Sequence, residues 1–451
     1  MALGNPKGTR DFSPKQLAKR EYIQNCIENI YKSYGFMKIE TPAFEHLETL
    51  TGKYGDEGEK LLFKILNSGD FLAKVDEHHL QGKNSQKIAP QISKKGLRYD
   101  LTVPFARYVA QHQNDIVFPF KRYQIQNVYR ADRPQKGRYQ EFLQCDADVI
   151  GTNSLLPEIE FIKIFHAIFS SLQLFDYEIA INHRKLLEAM AKHLKIEKQF
   201  IPFTVLLDKL DKIPFQKLEE NFSNLGIQAS DMNTLESWMQ KRSFNAMELS
   251  QLSDLMQKST ALEEALEELI LIANHTDNQN ITLHLGLARG LDYYTGCIFE
   301  AKIPKSGVGS LSGGGRYDNL SDAFGLKQMS GVGISFGLDR ISDVMDEKKL
   351  WTPLHQESTR VLITPLDKSV WKETLKIADT LREQNISTEI YPDHKKLKKQ
   401  LEYAHKRKIP FVLTVGKEEI DQNKWGLKDM DSGRQKLVST EDLIKSIQTK
   451  N

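Results

Sequence analysis

Three cysteines in 451 residues, almost no net charge and no long apolar run each remove a class of protein from consideration. Cys26, Cys145 and Cys297 lie far apart and share no metal-ligand spacing, which excludes a disulfide framework or structural zinc and fits a reducing, cytoplasmic setting. No apolar stretch approaches ~20 residues, so no membrane span is expected, and residues 1–15 lack the apolar core of a signal peptide. Lys and Arg number 62 against 60 Asp and Glu, so a nucleic-acid partner has to be met by local patches rather than by overall charge. The length leaves room for two or three domains, each with its own core.

What is present is organised around residues 120–151. In the first arm Tyr123, Ile125 and Tyr129 alternate with Arg122, Gln124, Gln126, Val128 and Arg130, one face apolar and the other mostly polar, a period of two that predicts a half-buried strand. The second arm sets Leu143, Cys145, Ala147 and Val149 against Gln144, Asp146 and Asp148. Paired as an antiparallel hairpin, the arms direct Arg130, Gln144 and Asp148 at one cavity. The connection at 131–140 is longer than a tight turn needs, and it carries Arg133, Lys136 and Arg138 where they could reach a phosphate backbone.

Before this hairpin, Ser13-Pro14-Lys15-Gln16 forms a capping box, and Leu17, Ile23, Ile27, Ile30, Tyr31 and Tyr34 follow at helical spacing up to Gly35. A short strand from Phe36 is broken at Pro42. Residues 74–96 are polar and lysine-rich and predict a loop, in which adjacent His78 and His79 are a solvated pair rather than metal ligands. Arg98-Tyr99-Asp100-Leu101-Thr102 restores strand character, with Arg98, Asp100 and Thr102 on one face. After the hairpin, residues 186–280 are rich in Leu, Glu, Lys and Gln with helical periodicity and predict a helical insertion. Its Glu263-Glu264-Ala265-Leu266-Glu267-Glu268 run is the solvated face of a helix.

Further on, Gly313-Gly314-Gly315 lets backbone approach a small ligand. Gly331-Val332-Gly333-Ile334-Ser335-Phe336-Gly337 lacks the spacing and the acidic residue of a dinucleotide fingerprint. Residues 347–359 show little periodicity and predict a linker. Beyond it strands and helices alternate, which predicts an α/β domain over 360–451. That segment holds 19 Lys and Arg against 14 Asp and Glu, a difference of +5, with Lys395, Lys396, Lys398, Lys399, Lys406, Arg407 and Lys408 close together.

These segments carry a resemblance. Residues 120–151 resemble the second signature motif of class II aminoacyl-tRNA synthetases, and Arg133-Pro134-Gln135-Lys136-Gly137-Arg138-Tyr139 resembles its histidyl-tRNA synthetase form. Leu287-Ala288-Arg289-Gly290-Leu291-Asp292-Tyr293-Tyr294 and Gly313–Asp318 are similar to two signatures peculiar to the histidyl enzymes. The first helix with its strand and proline resembles the first class II motif, and Gly331–Arg340 resembles the third.

The resemblance implies an α+β catalytic domain over 1–346, built on an antiparallel sheet with the helical insertion, and an anticodon-binding domain over 360–451. It implies ATP-dependent activation of L-histidine with Mg2+, transfer to histidine tRNA, and a homodimer. Arg130 and Arg289 become the catalytic cations, and Arg130 and Arg340 hold ATP. Asp100, Thr102 and Gln144 hold the α-ammonium, and Asp148, Tyr293, Tyr294 and Tyr317 shape the imidazole pocket. Arg133, Gln135, Lys136 and Arg138 meet the tRNA acceptor end. Both carboxylates are Asp where many bacterial relatives carry Glu. A non-catalytic relative, the histidine-sensing regulatory subunit of ATP phosphoribosyltransferase, is disfavoured by Arg289, Arg340 and residues 360–451.

Overall fold

The computed structural model describes residues 3–51, 58, 60–277, 279–289, 294–318, 324–325, 329–351, 359–393 and 395–449. Its first helix, Pro14–Ser33, starts where the capping box places it. The Ser13 side chain accepts from the Gln16 N–H, the Gln16 side chain returns to the Ser13 backbone, and Gly35 at φ +80° ends the run. The strands in chain order are β1 (Met37–Lys38), β2 (Phe44–His46), β3 (Lys64–Ile65), β4 (Lys95–Leu97), β5 (Phe120–Tyr129), β6 (Glu141–Ile150), β7 (Glu178–His183), β8 (Ile281–Leu283), β9 (Cys297–Lys302), β10 (Ser312–Tyr317), β11 (Gly331–Gly337), β12 (Val361–Pro365), β13 (Thr388–Ile390), β14 (Phe411–Val415), β15 (Trp425–Asp429) and β16 (Gln435–Val438). The chain divides into two compact units, 1–352 and 353–451.

In the first unit eight strands form one sheet in the order β1-β5-β6-β11-β10-β9-β7-β8, antiparallel throughout except for the parallel pairs β1/β5 and β7/β8 at its two ends. One face is apolar. Cys145, Ala147 and Val149 of β6 pack there with Ile23, Ile27 and Tyr31 of the first helix and with Phe161, Phe165 and Phe169 of the helix Leu156–Ser171. Each Val, Ile or Phe among them contributes roughly 1.5–3 kcal/mol on burial. The hairpin was expected to be half-buried, but β6 is buried on both faces from Gln144 to Ile150, because its polar face is covered by the site described below.

Three sequence expectations change. Residues 74–96 are not a loop: Asp76 and Asn84 cap two short helices, Glu77–Gln81 and Ser85–Ile92, whose single lysine, Lys87, is exposed. The strand expected through Thr102 ends at Leu97, and Thr102–Gln111 is a helix. Pro104 falls in its first turn, where its missing N–H leaves no gap, and Asp100 Oδ1 accepts the Val103 N–H at 3.2 Å. Arg98, Asp100 and Thr102 therefore share no strand face. At the far end the helix Leu338–Lys348 runs past the expected linker start, and residues 352–358 of that linker lie outside the described set.

The insertion is helical from Arg184–His193 to Thr260–His275. Among the described residues it forms no separate core: Phe203, Phe222, Trp238, Leu262 and Leu269 join the cluster that underlies the sheet. Its acidic run is not merely solvated, because Glu264 pairs with Lys185 at 2.6 Å and Glu268 with His183 at 3.0 Å.

The second unit is a mixed sheet in the order β13-β12-β14-β15-β16, parallel across its first three strands and antiparallel beyond. Helices Trp371–Glu383, Leu397–Lys406 and Thr440–Gln448 complete it. Its apolar clusters are its own.

Candidate active site

Register lays out the polar face of the large sheet in rows. Across β5, β6 and β11 stand Gln126, Gln144 and Gly337, then Gln124, Asp146 and Ser335, then Arg122, Asp148 and Gly333. A slip of one residue would turn every one of these side chains into the apolar core.

At the first row opens a cavity of about 290 Å³ lined by Arg130, Arg138, Gln144, Arg289, Tyr294, Ser310, Ser335 and Arg340. Arg130 follows β5, donates Nε to the Tyr99 carbonyl at 3.1 Å, lies over the Tyr99 ring at 4.2 Å and places Nη2 3.4 Å from Gln144 Oε1. Arg289 is ion-paired with buried Glu300 and donates Nη1 to Ser310 Oγ at 2.7 Å. Arg340 donates Nε to the Gly137 carbonyl at 2.9 Å and Nη1 to the Ser310 carbonyl at 2.7 Å, so it joins the hairpin turn to the opposite wall. Burial, and then repulsion from Arg289, Arg130 and Arg138, pushes the Arg340 guanidinium down to about 10. That disfavours its charged form by on the order of 3 kcal/mol. A polyanion in this cavity would reverse the repulsion among the guanidiniums.

Asp148 does not line the cavity. It is buried one level deeper, its Oδ2 2.7 Å from the fully buried guanidinium of Arg122 and its Oδ1 accepting the Tyr317 hydroxyl at 2.7 Å. Arg122, missed in the sequence reading, lies 4.1 Å over the Phe105 ring. Burial pushes the Asp148 carboxyl up against the opposing pull of Arg122 and Tyr317. Glycines make room for these groups. A Cβ at Gly333 would stand 2.0 Å from Asp148 Oδ1, one at Gly331 2.5 Å from the Tyr317 ring, and one at Gly315 2.9 Å from the Tyr294 ring. The β10 and β11 glycines therefore serve the side chains of the site as much as any ligand.

Of the remaining expected residues, Asp100 is buried at the start of the helix Thr102–Gln111, whose first residue is Thr102. Tyr293 lies outside the described residues. In the hairpin connection Gln135 bridges Arg138 around Lys136-Gly137, with Gly137 at φ +72°. Arg133, Gln135 and Lys136 are exposed, and Lys136 Nζ reaches Glu347 at 3.2 Å. Arg138 is exposed too and also lines the cavity wall, 3.8 Å from Asp132.

The sequence also gave no hint of how the insertion meets the site. Asp208 comes within 4.0 Å of Arg289, and Asp211 lies 3.3 Å from His284, whose hydrogen bond holds the Asp211 carboxyl down at about 2. His183, Glu268 and Cys297 have ligand atoms within 4.8 Å of one another. His183 Nδ1 accepts the Lys185 N–H at 3.2 Å, so Nε2 carries the hydrogen facing Glu268 at 3.0 Å and offers no lone pair to a metal.

A mostly antiparallel sheet whose second-motif hairpin and third-motif strand and helix bring arginines to one cavity defines a class II aminoacyl-tRNA synthetase. The family model for histidyl-tRNA synthetase matches residues 77–341, and that for an anticodon binding domain matches 360–450. The histidine–tRNA ligase of Christiangramia forsetii is 49% identical over 95% of this chain and 96% of its own, and that of Cytophaga hutchinsonii 48% over 97% and 98%. The crystal structure of histidyl-tRNA synthetase from Nostoc sp. PCC 7120 superposes with a TM-score of 0.82 at 28% identity, covering 100% of both chains. A structure titled as an ATP phosphoribosyltransferase regulatory subunit/histidyl-tRNA synthetase, from Bacillus halodurans C, shares the fold at TM-score 0.69 and 22% identity, covering 86% of this chain and 93% of that one. The chain belongs to the histidyl-tRNA synthetases, ligases that join histidine to its tRNA, a family that works with ATP and a divalent metal. Among the described residues no helix is long and apolar enough to cross a membrane.

Proposed function

We propose that the arginine-lined cavity is where the carboxylate of L-histidine meets the α-phosphate of Mg-ATP. The observation that carries this is the convergence of Arg130, Arg138, Arg289 and half-buried Arg340 on one cavity whose acidic lining residues are already paired, Asp132 with Arg138 and Asp339 with Arg10 and Arg20. Two anions have to approach each other in the first step. Arg130 and Arg289 neutralise them while the carboxylate attacks phosphorus and diphosphate departs, with no protein nucleophile. Arg340 and Arg130 hold the nucleotide. The magnesium arrives with ATP as part of the substrate and shields the diphosphate charge as it leaves. In the second step the terminal ribose of histidine tRNA attacks the adenylate, and AMP leaves.

Asp100, Thr102 and Gln144 hold the α-ammonium. Tyr294, Tyr317 and Asp148, with Tyr293, read the imidazole. Asp148 Oδ1 already accepts one hydrogen bond and has a second lone pair for a ring N–H. A buried site built to satisfy both ring nitrogens is left with unpaired groups when any other side chain enters. The exposed Arg133, Gln135 and Lys136, with Arg138 at the rim, meet the acceptor end of the tRNA. The anticodon is read by residues 360–451, supported by their +5 charge and by exposed Trp371 and Leu375 at a pocket with Pro392. The chain acts in the cytoplasm as a homodimer. Half-exposed Met37, on the edge strand β1, and Phe44 on β2 supply apolar surface for that contact.

ATP–pyrophosphate exchange tests the reading. Exchange is expected with histidine and with no other standard amino acid, and exchange independent of histidine would refute it.

A further inference from the structure

We propose that Asp146 is a positioning residue for histidine: it holds the Gln144 amide with its carbonyl oxygen toward the cavity, and it releases a proton to solvent when the substrate's α-ammonium arrives. This rests on the reading of Gln144 as a holder of that ammonium.

Gln144 Nε2 donates to Ser335 Oγ at 2.7 Å and approaches Asp146 Oδ1 at 3.4 Å, while Gln144 Oε1 is the end that faces Arg130 at the cavity. A charged carboxylate can only accept. With Asp146 ionised, the amide NH2 is therefore held below and the C=O is presented above, the orientation an ammonium needs. A protonated Asp146 could donate to Gln144 instead and would lose that control.

The neutral form has its own partner. Gln124 stands directly across from Asp146 on β5 and is fully buried. Its Nε2 is engaged by Thr41 Oγ1 at 2.8 Å and Gln126 Oε1 at 2.5 Å, and its Oε1 has no hydrogen-bond partner among the described residues. Across the ladder this acceptor suits an O–H on Asp146. Gln144 thus favours the anion, and Gln124 the acid.

The charges around Asp146 set which form prevails. From β5 Arg122 faces it, from its own strand Asp148, from the segment before the helix Thr102–Gln111 Asp100, and from β11 Ser335. Tyr31 and the Cys145 thiol lie on the apolar side. Burial raises the Asp146 carboxyl to about 7, with Arg122 opposing and Asp148 and Asp100 adding to the rise. Asp100, Asp146, Asp148 and Arg122 carry a net charge of −1 when Asp146 holds a proton. They reach −1 again when an ammonium enters and that proton leaves, so binding and deprotonation favour each other.

The test measures histidine binding by calorimetry at pH 7 in buffers of different ionisation enthalpy, on wild type and Asp146→Asn. Wild type is expected to release about half a proton more than the variant, the share of a group titrating near that pH. Any contribution from histidine's own imidazole is common to both. In pyrophosphate exchange the variant should raise the KM for histidine about tenfold, as for a lost charge-assisted hydrogen bond, while kcat and the KM for ATP change less than about twofold. Equal proton release, or parallel losses toward ATP and in kcat, would overturn the proposal. Should Asp146→Asn not fold, Gln124→Met removes the partner of the neutral form. It should move the pH midpoint of the histidine KM to lower pH, and an unmoved midpoint would overturn the proposal equally. Gln144→Ala separates the two levels. If it leaves the histidine KM unchanged, the reading of Gln144 fails. If it raises that KM while Asp146→Asn and Gln124→Met behave as wild type, only the role of Asp146 fails.

Discussion

Arg289→Ala removes two things at once, and the structure separates them. In the mechanism proposed above, the guanidinium at the cavity is one of the cations that bring two anions together. The loss of such a group lowers the rate by roughly 10²–10³, or about 3–4 kcal/mol in the barrier. Beneath the cavity it is also the ion-pair partner of Glu300, which is 3% exposed. Burial already raises the Glu300 carboxyl, with Arg289 pulling it back. Without Arg289 that carboxyl rises further, and leaving it unpaired costs about 1–3 kcal/mol of stability. The sign with pH follows. A raised carboxyl is protonated at low pH and must be buried charged at high pH, so Arg289→Ala should lose more thermal stability at pH 8 than at pH 6. Arg289→Met with Glu300→Gln removes the stranded charge. It should regain most of the melting temperature and none of the histidine-dependent exchange. Recovery of exchange along with stability would show that Arg289 acts only through the fold, and near-normal exchange in Arg289→Ala alone would remove it from the chemistry.

Other perturbations follow the same geometry. Asp148→Asn should raise the KM for histidine far more than that for ATP in exchange assays, and equal losses would make Asp148 a general support. Gly333→Ala puts a methyl 2.0 Å from Asp148 Oδ1, so the same selective loss toward histidine should appear although no polar group has changed; an unaltered histidine KM would refute the packing argument. The carboxyl of Asp146 is raised to about 7, so its contribution to stability should fall as the pH rises from ~4 through 7, and Asp146→Asn should flatten the melting-temperature profile over that range. Removing residues 353–451 should leave histidine activation largely intact and abolish sensitivity to anticodon changes, while charge reversal at Arg133 and Arg138 should blunt discrimination at the acceptor end. Charging assays with tRNAs altered at either end would expose the opposite pattern.

Local signals announced much of this molecule. The capping box at Ser13, the period of two in β5 and β6 and the alternation after residue 360 depend on neighbours in sequence, and they gave the right elements. Other signals, equally local, were masked by composition and alternation: Asp76 and Asn84 cap helices in a lysine-rich stretch, and Asp100 accepts the Val103 N–H where alternation suggested a strand. Within the site, Arg130, Gln144, Arg289 and Arg340 could be named from their motifs, and the cavity brings them together. Arg122, Glu300, Ser310 and Asp208 could not, because each matters through a partner distant in sequence. One signal was available and unused: Arg122 and Gln124 alternate on the polar side of β5, opposite two aspartates once the hairpin is paired.

The insertion and the second unit differ in how their apolar residues are shared. The second unit keeps its apolar clusters to itself. The insertion does not: Phe203, Phe222 and Trp238 are continuous with the residues beneath β6 and β11, and Asp208 approaches Arg289. Excising its helices would leave an open apolar wound under the sheet and remove Asp208 from beside Arg289, so a minimal fragment of this chain that keeps the cavity has a seam near residue 352 and none at 186–280. Drift in the sequence of those helices is therefore constrained from the inside, by packing, even where their outer surface is free to change.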